Sequence, residues 1–214
     1  MHESVNKLIS IQQEINSKNL KTRIIAVSKT FPLSEIIPLI NYGHVHFGEN
    51  KVQESIDKWS DIKKKNNQIK LHMIGKLQTN KVKYAVDLFD YIHSVDNLKL
   101  AEKISSEISK KKKKIKIFIQ VNIGNEIQKS GIKHENLKEF FHECKNNLNL
   151  DIIGLMCIPP VDQSVDKHFK KMNMLSKELG LNELSMGMSQ DYISAILNGA
   201  SFVRIGSKIL GPRN

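Results

Sequence analysis

Two short segments near the end of the chain combine serine with glycine in a way that suits phosphate binding. Ser185–Ser189 reads Ser-Met-Gly-Met-Ser, and Arg204–Ser207 reads Arg-Ile-Gly-Ser. Glycine lets a backbone approach a ligand closely, a serine hydroxyl donates a hydrogen bond, and a helix that begins there leaves N–H groups free. Turn and capping residues explain either segment alone equally well. The pair predicts a phosphate site that includes Ser189, Gly206 and Ser207.

Two cations are candidates for the same site. Arg204 opens the second segment, and a buried guanidinium keeps its charge and needs an acceptor, either a ligand or a carboxylate such as Glu49 or Asp191. Lys29 follows the apolar run Ile24–Val27, and burial there would favour its neutral amine, which is a nucleophile. A lysine that simply reaches out to solvent is the plainer alternative.

Strands and helical segments alternate along the whole chain. Apolar runs predict eight strands, at residues 24–27, 45–48, 71–74, 91–95, 115–121, 152–156, 183–186 and 202–205. A helical segment follows each of the first seven, and an amphipathic helix at Glu3–Ser17 precedes the first. This alternation indicates an α/β protein with a parallel sheet, and eight units favour a single closed (β/α)8 TIM barrel over an open sheet. No G-x-G-x-x-G motif follows a strand, which argues against dinucleotide binding.

In such a barrel the carboxyl ends of all strands meet at one mouth, where residues distant in sequence converge. The residues expected there are Lys29, Glu49, Asn50, His72, Gly75, Asn122, Met156, Ser185, Gly187, Ser189, Arg204, Gly206 and Ser207. Barrel enzymes commonly bind phosphate in the loops after strands seven and eight. A phosphate site, an adjacent arginine and an amine across the mouth together fit pyridoxal 5′-phosphate (PLP), whose aldehyde would form a Schiff base with Lys29.

Composition narrows the class of protein. The 214 residues contain no Pro/Gly/Ser-rich linker, so we expect one domain over residues 1–214. The net charge is +11, but the lysines are dispersed and the run Lys110–Lys114 has no interleaved aromatic residues, so no specific nucleic-acid partner is expected. No apolar run is long enough for a membrane span and no secretory leader is evident, which predicts a cytoplasmic protein without a membrane partner. Cys144 and Cys157 are expected to be free thiols, and no metal-ligand spacing occurs.

A series of short motifs, taken in order, resembles the pyridoxal phosphate homeostasis protein family, the single-domain relatives of the alanine racemase N-terminal barrel. The motifs are Ala26–Lys29, Phe47–Glu54, His72–Lys81, Val121-Asn122, Lys129–Gly131, Gly154–Met156, Ser185–Ser189 and Val203–Gly206. The resemblance covers nearly the whole chain. It implies a barrel of the alanine racemase N-terminal type with an extra N-terminal helix.

The resemblance also implies roles for particular residues. Lys29 would be the PLP lysine, Arg204 would face the pyridine nitrogen and Asn50 would lie near the ring. Ser189, Gly206 and Ser207 would hold the phosphate. The sequence departs from the family pattern at a few positions, which are Met73, Gly124-Asn125, Cys157 and Gln190. None of them is the lysine or the arginine, so only details of the pocket are affected.

An arginine beside the pyridine nitrogen disfavours protonation of that nitrogen and so weakens the ring as an electron sink. Related racemases, by resemblance, take a second base from another domain, for which 214 residues leave no room. We therefore expect a monomeric carrier or buffer of PLP that acts in homeostasis, supplies PLP-dependent client enzymes and has no substantial catalytic activity. Three alternatives stay open: a PLP-dependent racemase-like enzyme, an aldolase that uses Lys29 without a cofactor, and a nucleic-acid-binding module drawn by the positive charge.

Overall fold

Eight parallel strands close into a barrel in a computed structural model that describes residues 1–18, 21–160 and 164–212. The strands are β1 (Arg23–Val27), β2 (His46–Glu49), β3 (Lys70–Met73), β4 (Tyr91–Val95), β5 (Lys116–Val121), β6 (Asp151–Cys157), β7 (Glu183–Met188) and β8 (Phe202–Ile205). Each strand pairs with the next in sequence, and β1 pairs with β8 with Ile25 opposite Arg204. The predicted (β/α)8 barrel is confirmed.

Helices surround the barrel in the described part of the chain. They are α1 (Glu3–Asn16), α2 (Leu33–Asn41), α3 (Val52–Lys65), α4 (Val82–Leu88), α5 (Leu98–Lys111), α6 (Leu137–His142), α7 (Val165–Glu178), α8 (Tyr192–Leu197) and α9 (Ser207–Leu210). The extra N-terminal helix α1 packs against α2 and α9. Short 3₁₀ turns at Thr79–Lys81 and His134–Asn136 lead into α4 and α6, and a π turn at Glu143–Asn147 ends α6. The helices predicted over 79–89 and 134–146 are therefore less regular than expected.

Strand β1 shows how the sequence divides the two faces of the sheet. Successive side chains point to opposite faces, so Ile24 and Ala26 join the apolar layer beneath the helices, whereas Ile25 points into the barrel. Inside, Ile25 belongs to a separate cluster with Tyr91, Phe118, Met156 and Phe202. Lys29, two positions after Val27, shares the inward phase of this alternation.

The predicted strand boundaries agree with the structure to within one or two residues. β4 and β8 have the predicted bounds, and β1 begins one residue earlier than predicted. After Val27 the Ser28 amide still donates to the carbonyl of Gly48 at 3.0 Å, but Thr30 has φ of 69° and turns the chain away from the sheet. The segment after β8, predicted as a plain tail, contains α9.

Three histidines form a hydrogen-bonded row through the barrel interior, which we call the histidine array: His46, His72 and His93. His46 Nδ1 lies 2.9 Å from His72 Nε2, and His72 Nδ1 lies 2.9 Å from His93 Nε2. Burial lowers the pKa of His46 to about 4, and it lowers the pKa values of His72 and His93 well below the usual value. The array is therefore uncharged at neutral pH.

These buried histidines should make the fold sensitive to mild acid. The unfolded chain protonates each histidine near pH 6.5, whereas the folded chain does so only near pH 4 or below. We expect the free energy of unfolding to fall as the pH falls from about 6.5 to 4, by up to about 1.4 kcal/mol per pH unit for each such histidine. Urea unfolding across this pH range measures the slope.

A variant that keeps an aromatic ring but removes the titrating nitrogens isolates the contribution of one histidine to this slope. His93→Phe should reduce the slope by about one proton, whereas His142→Gln, which alters an exposed histidine, should reduce it far less. Equal slopes in wild type and His93→Phe would show that His93 is protonated in the folded state.

Candidate functional site

A cavity of about 380 Å³ opens at the carboxyl ends of the strands. All six residues predicted for the ligand site line it, which are Lys29, Asn50, Ser189, Arg204, Gly206 and Ser207. The cavity volume lies within the range of small-molecule sites, roughly 300–1,000 Å³. The barrel thus brings into one cavity an amine, a guanidinium, an amide and two hydroxyls that lie far apart in sequence.

The seven other residues expected at the mouth do not line this cavity. Met156 packs in the interior cluster with Ile25, and His72 and Ser185 are fully buried deeper in the barrel. Asn122 lines a separate pocket beside the loop that follows β5. The expectation was wrong for Met156, His72 and Ser185, because strand order places a residue at one end of the barrel but does not fix its depth.

The expectation that Glu49 lies at the mouth was also wrong, because its side chain points away from the mouth toward α3. Its Oε1 accepts hydrogen bonds from Ser28 Oγ at 2.8 Å, Trp59 Nε1 at 2.9 Å and Lys58 Nζ at 3.0 Å. Glu49 and Trp59 are fully buried, and the Lys58 side chain is 8% exposed. The inward positions of β2 belong to His46 and Gly48, so alternation puts Glu49 on the outer face.

This outer cluster holds the backbone on both sides of Lys29. Lys58 Nζ donates to the Ser28 carbonyl at 2.9 Å, and the Thr30 amide donates to Glu54 Oε1 at 2.7 Å. Burial opposes ionisation of Glu54, but the Thr30 amide and Lys58 outweigh it and lower the pKa of Glu54. Thr30 is β-branched and has φ of 69°, a strained conformation that persists only where surrounding contacts enforce it.

Sequence reasoning missed Glu54, Lys58 and Trp59 as residues that position Lys29. Glu54 and Lys58 are four residues apart on α3, a spacing that favours an ion pair on a helix and is visible in the sequence. Their connection to Lys29 is not visible there, because it depends on how α3 packs against the end of β1.

The loop after β7 is shaped by a glycine and an aspartate. Gly187 has φ of 90°, and a Cβ there would lie 2.5 Å from the Cβ of Ala195, so a larger residue does not fit. Asp191 Oδ1 accepts the Met188 amide at 2.5 Å. Ser189 lies in the turn between them, and α8 begins at Tyr192, directly after Asp191.

Arg204 is 5% exposed and its partners are neutral. Its Nη1 donates to the Ser185 carbonyl at 2.6 Å and to Ser185 Oγ at 2.8 Å, and its Nη2 donates to the Cys157 carbonyl at 2.8 Å. Neither Glu49 nor Asp191, the carboxylates considered from sequence, pairs with it in the described structure. Burial lowers the pKa of Arg204 and the charge on Asp191 opposes that shift, so the guanidinium remains a cation that faces the mouth with no described carboxylate in ion-pair contact.

Asn50 is held at the mouth by a close backbone contact. A Cβ on Gly75 would lie 2.6 Å from the Asn50 carbonyl oxygen, so only glycine lets the loop after β3 pack against this residue. The side chain of Asn50 consequently lines the cavity on the side of β2.

Comparison with known proteins identifies the family to which this barrel belongs. Residues 7–214 match the family described as alanine racemase, N-terminal domain. The pyridoxal phosphate homeostasis protein of Aquifex aeolicus is 39% identical over 200 residues, which span 89% of this chain and 87% of that protein. The structure of PipY from Synechococcus elongatus with PLP bound has a TM-score of 0.89 and 31% identity, covering 97% of this chain and all of PipY. PipY without PLP gives a TM-score of 0.90 over 98% of this chain.

Fold and site together define a (β/α)8 barrel of the alanine racemase type, with a lysine and a buried arginine at its mouth. Within that class, the chain belongs to the pyridoxal phosphate homeostasis protein family. In the described residues no helix has the length and apolar character needed to cross a membrane.

Breaking the cluster behind Lys29 should destabilise the fold strongly. Lys58→Met would leave Glu49 buried without its ion-pair partner, and such a loss typically costs about 3–5 kcal/mol. Lys64→Met is the matched control, because Lys64 and Asp61 are 76% and 85% exposed and an exposed pair contributes about 1 kcal/mol or less. Urea unfolding at pH 7 compares them, and similar losses would contradict a role for burial.

Proposed function

We propose that this protein binds PLP at the barrel mouth and acts as a carrier or buffer that maintains the cellular supply of the cofactor. The observation that carries the proposal is the single cavity lined by Lys29, Arg204, Ser189 and Ser207. Two relatives support the proposal: the Aquifex aeolicus relative is named a pyridoxal phosphate homeostasis protein, and the structure of PipY has PLP bound.

The chemistry of the cavity fits this ligand. When bound, PLP supplies an aldehyde that reacts with amines and a ring that can accept electrons. Lys29 would hold the cofactor covalently through its amine, and Arg204 would be the partner of the ring nitrogen. The hydroxyls of Ser189 and Ser207, with the backbone at Gly206, would hold the phosphate, and Asn50 would lie beside the ring.

Arg204 favours a carrier over a catalyst. Its positive charge disfavours protonation of a ring nitrogen beside it, and its described hydrogen-bond partners are neutral, with no carboxylate in direct contact. A ring that stays unprotonated stabilises a developing carbanion poorly, which hinders carbanion chemistry such as transamination. Related racemases, by resemblance, tolerate the same arrangement but need a second base. A racemase-like enzyme remains the alternative, because a Lys29 amine at a PLP site is compatible with either function.

The mouth is open enough for exchange of a ligand. Met188 and Ile158, which line the cavity, are 38% and 39% exposed. The cofactor would therefore be able to leave for PLP-dependent client enzymes without unfolding of the barrel.

Cys144 and Cys157 are free and buried, as is usual for proteins of the cytoplasm, where we place this function.

Lys29→Ala should abolish covalent attachment of PLP and leave the barrel folded, because no other residue in the described lining of the cavity carries an amine. Borohydride reduction, visible absorbance and mass mapping of peptides measure the attachment. Lys76→Ala, which alters an exposed lysine outside the cavity, should retain wild-type attachment. A pyridoxyl adduct on another lysine in the wild-type protein would contradict the assignment.

Removing both hydroxyls should separate phosphate binding from ring binding. Ser189→Ala with Ser207→Ala should weaken binding of PLP about tenfold or more, because hydrogen bonds to charged groups contribute about 1.5–3 kcal/mol each. Binding of pyridoxal, which lacks the phosphate, should change little. Equilibrium dialysis with both ligands tests this, and equal losses would indicate that the serines only shape the turns.

A screen for amino-acid turnover separates carrier from enzyme. Because Arg204 keeps a ring nitrogen unprotonated, we expect no substantial loss of α-deuterium from either enantiomer of the standard amino acids with the PLP-loaded protein. Proton NMR measures the exchange. Exchange at a rate typical of working enzymes, on the order of 1 s⁻¹ or faster, would restore the racemase alternative.

A further inference from the structure

The histidine array connects directly to Arg204 through Ser185. His93 Nδ1 lies 2.9 Å from Ser185 Oγ, which also accepts from Arg204 Nη1 at 2.8 Å. Ser185, His72 and His93 are fully buried. The contacts therefore form one unbroken row, from half-buried His46 at the start of β2 to the cation at the barrel mouth. The proposed cofactor chemistry does not account for this row, although His72 and Ser185 begin two of the family motifs.

We propose that the histidine array and Ser185 are positioning residues that hold Arg204 as a cation with neutral groups in direct contact, and that Arg204 in turn fixes the direction of every hydrogen bond in the row. A guanidinium has donors only, so Ser185 Oγ accepts from it. The Ser185 hydroxyl proton then has one acceptor among its described partners, His93 Nδ1. If the hydrogen bonds of the row ran in the opposite direction, the buried hydroxyl proton of Ser185 would have no acceptor, which is unfavourable.

That first step determines the tautomer of each histidine. If His93 Nδ1 accepts, its proton is on Nε2 and is donated to His72 Nδ1. By the same reasoning His72 carries its proton on Nε2 and donates it to His46 Nδ1, so His46 also carries its proton on Nε2. The structure thus assigns one tautomer to all three rings, on geometry alone.

The row explains how a buried cation is accommodated at the mouth when its direct hydrogen-bond partners are neutral. Hydrogen bonds in series polarise one another, so each neutral ring helps to solvate the charge on Arg204. A carboxylate in place of Ser185 would neutralise the guanidinium and reduce its effect on a ring nitrogen. The inference rests on the proposed function only for the identity of the ligand that Arg204 meets.

The tautomers can be measured in the protein without cofactor. Long-range ¹H–¹⁵N correlation spectra of ¹⁵N-labelled protein at pH 7 should show His46, His72 and His93 neutral with the proton on Nε2. A proton on Nδ1 of any of the three would overturn the proposal. This experiment requires no PLP. Its outcome therefore does not depend on whether PLP attaches to Lys29.

Substitution of Arg204 tests whether it sets the direction. In Arg204→Met the row is free to reverse as a unit, so the three histidines should show the same measurable fraction of Nδ1 tautomer. Arg204→Lys keeps a charged donor and should retain the wild-type pattern, and exposed His142 should be unchanged in both. Wild-type tautomers in Arg204→Met would overturn the proposal, as would rings that change independently.

Ser185→Ala provides a second variant with Arg204 intact. It removes the hydrogen bond from Nη1 to Oγ, so rotation of the Arg204 guanidinium, measured by ¹⁵N exchange, should become about tenfold faster. His93 should then show part of its population with the proton on Nδ1. Unchanged rotation would show that the two backbone carbonyls alone position Arg204 and would overturn the positioning role.

Discussion

Closure of the sheet between β1 and β8 is the constraint on which the mouth depends. Register places Ile25 opposite Arg204 and Ala26 opposite Ile205, so the first and last strands end side by side. Lys29 and Ser207, which are separated by most of the chain, line one cavity for this reason. An open sheet of the same strands would leave them at opposite edges, and no amine would face the serine loops.

The barrel interior combines an apolar layer with a polar one. Ile25, Phe118 and Phe202 fill one part, and stacking of His93 on Phe118 with centroids 4.3 Å apart joins the two layers. Burying imidazoles is favourable only if their nitrogens are hydrogen-bonded, and the row from His46 to Ser185 satisfies that requirement. Acid sensitivity of the fold and support of Arg204 then have the same physical origin, an uncharged polar interior.

The sequence allowed prediction of the fold because each strand is a short apolar run and each helix an amphipathic one, features that need no tertiary information. Six residues that line the mouth cavity were also predicted, because parallel strands share one carboxyl end and the family resemblance singled out these six among the strand-end residues. Depth within the barrel was not: His72 and Ser185 lie below the mouth because of strand stagger, which depends on pairing register. The outward direction of Glu49 followed from alternation along β2 but required knowing that His46 points inward.

Lys29 and Arg204 are positioned by unlike means, and the difference bears on what each is able to do. The ion-paired cluster around Glu49 holds the backbone on both sides of Lys29, so the position of this residue is set from outside the mouth. Arg204 is held by its own guanidinium, through three hydrogen bonds to neutral acceptors. A side chain held at its charged end cannot move away, so its positive charge is a permanent feature of the mouth. Such a mouth favours an anionic ligand, yet the same charge opposes protonation of a ring nitrogen beside it, which weakens the electron sink that carbanion chemistry on PLP uses.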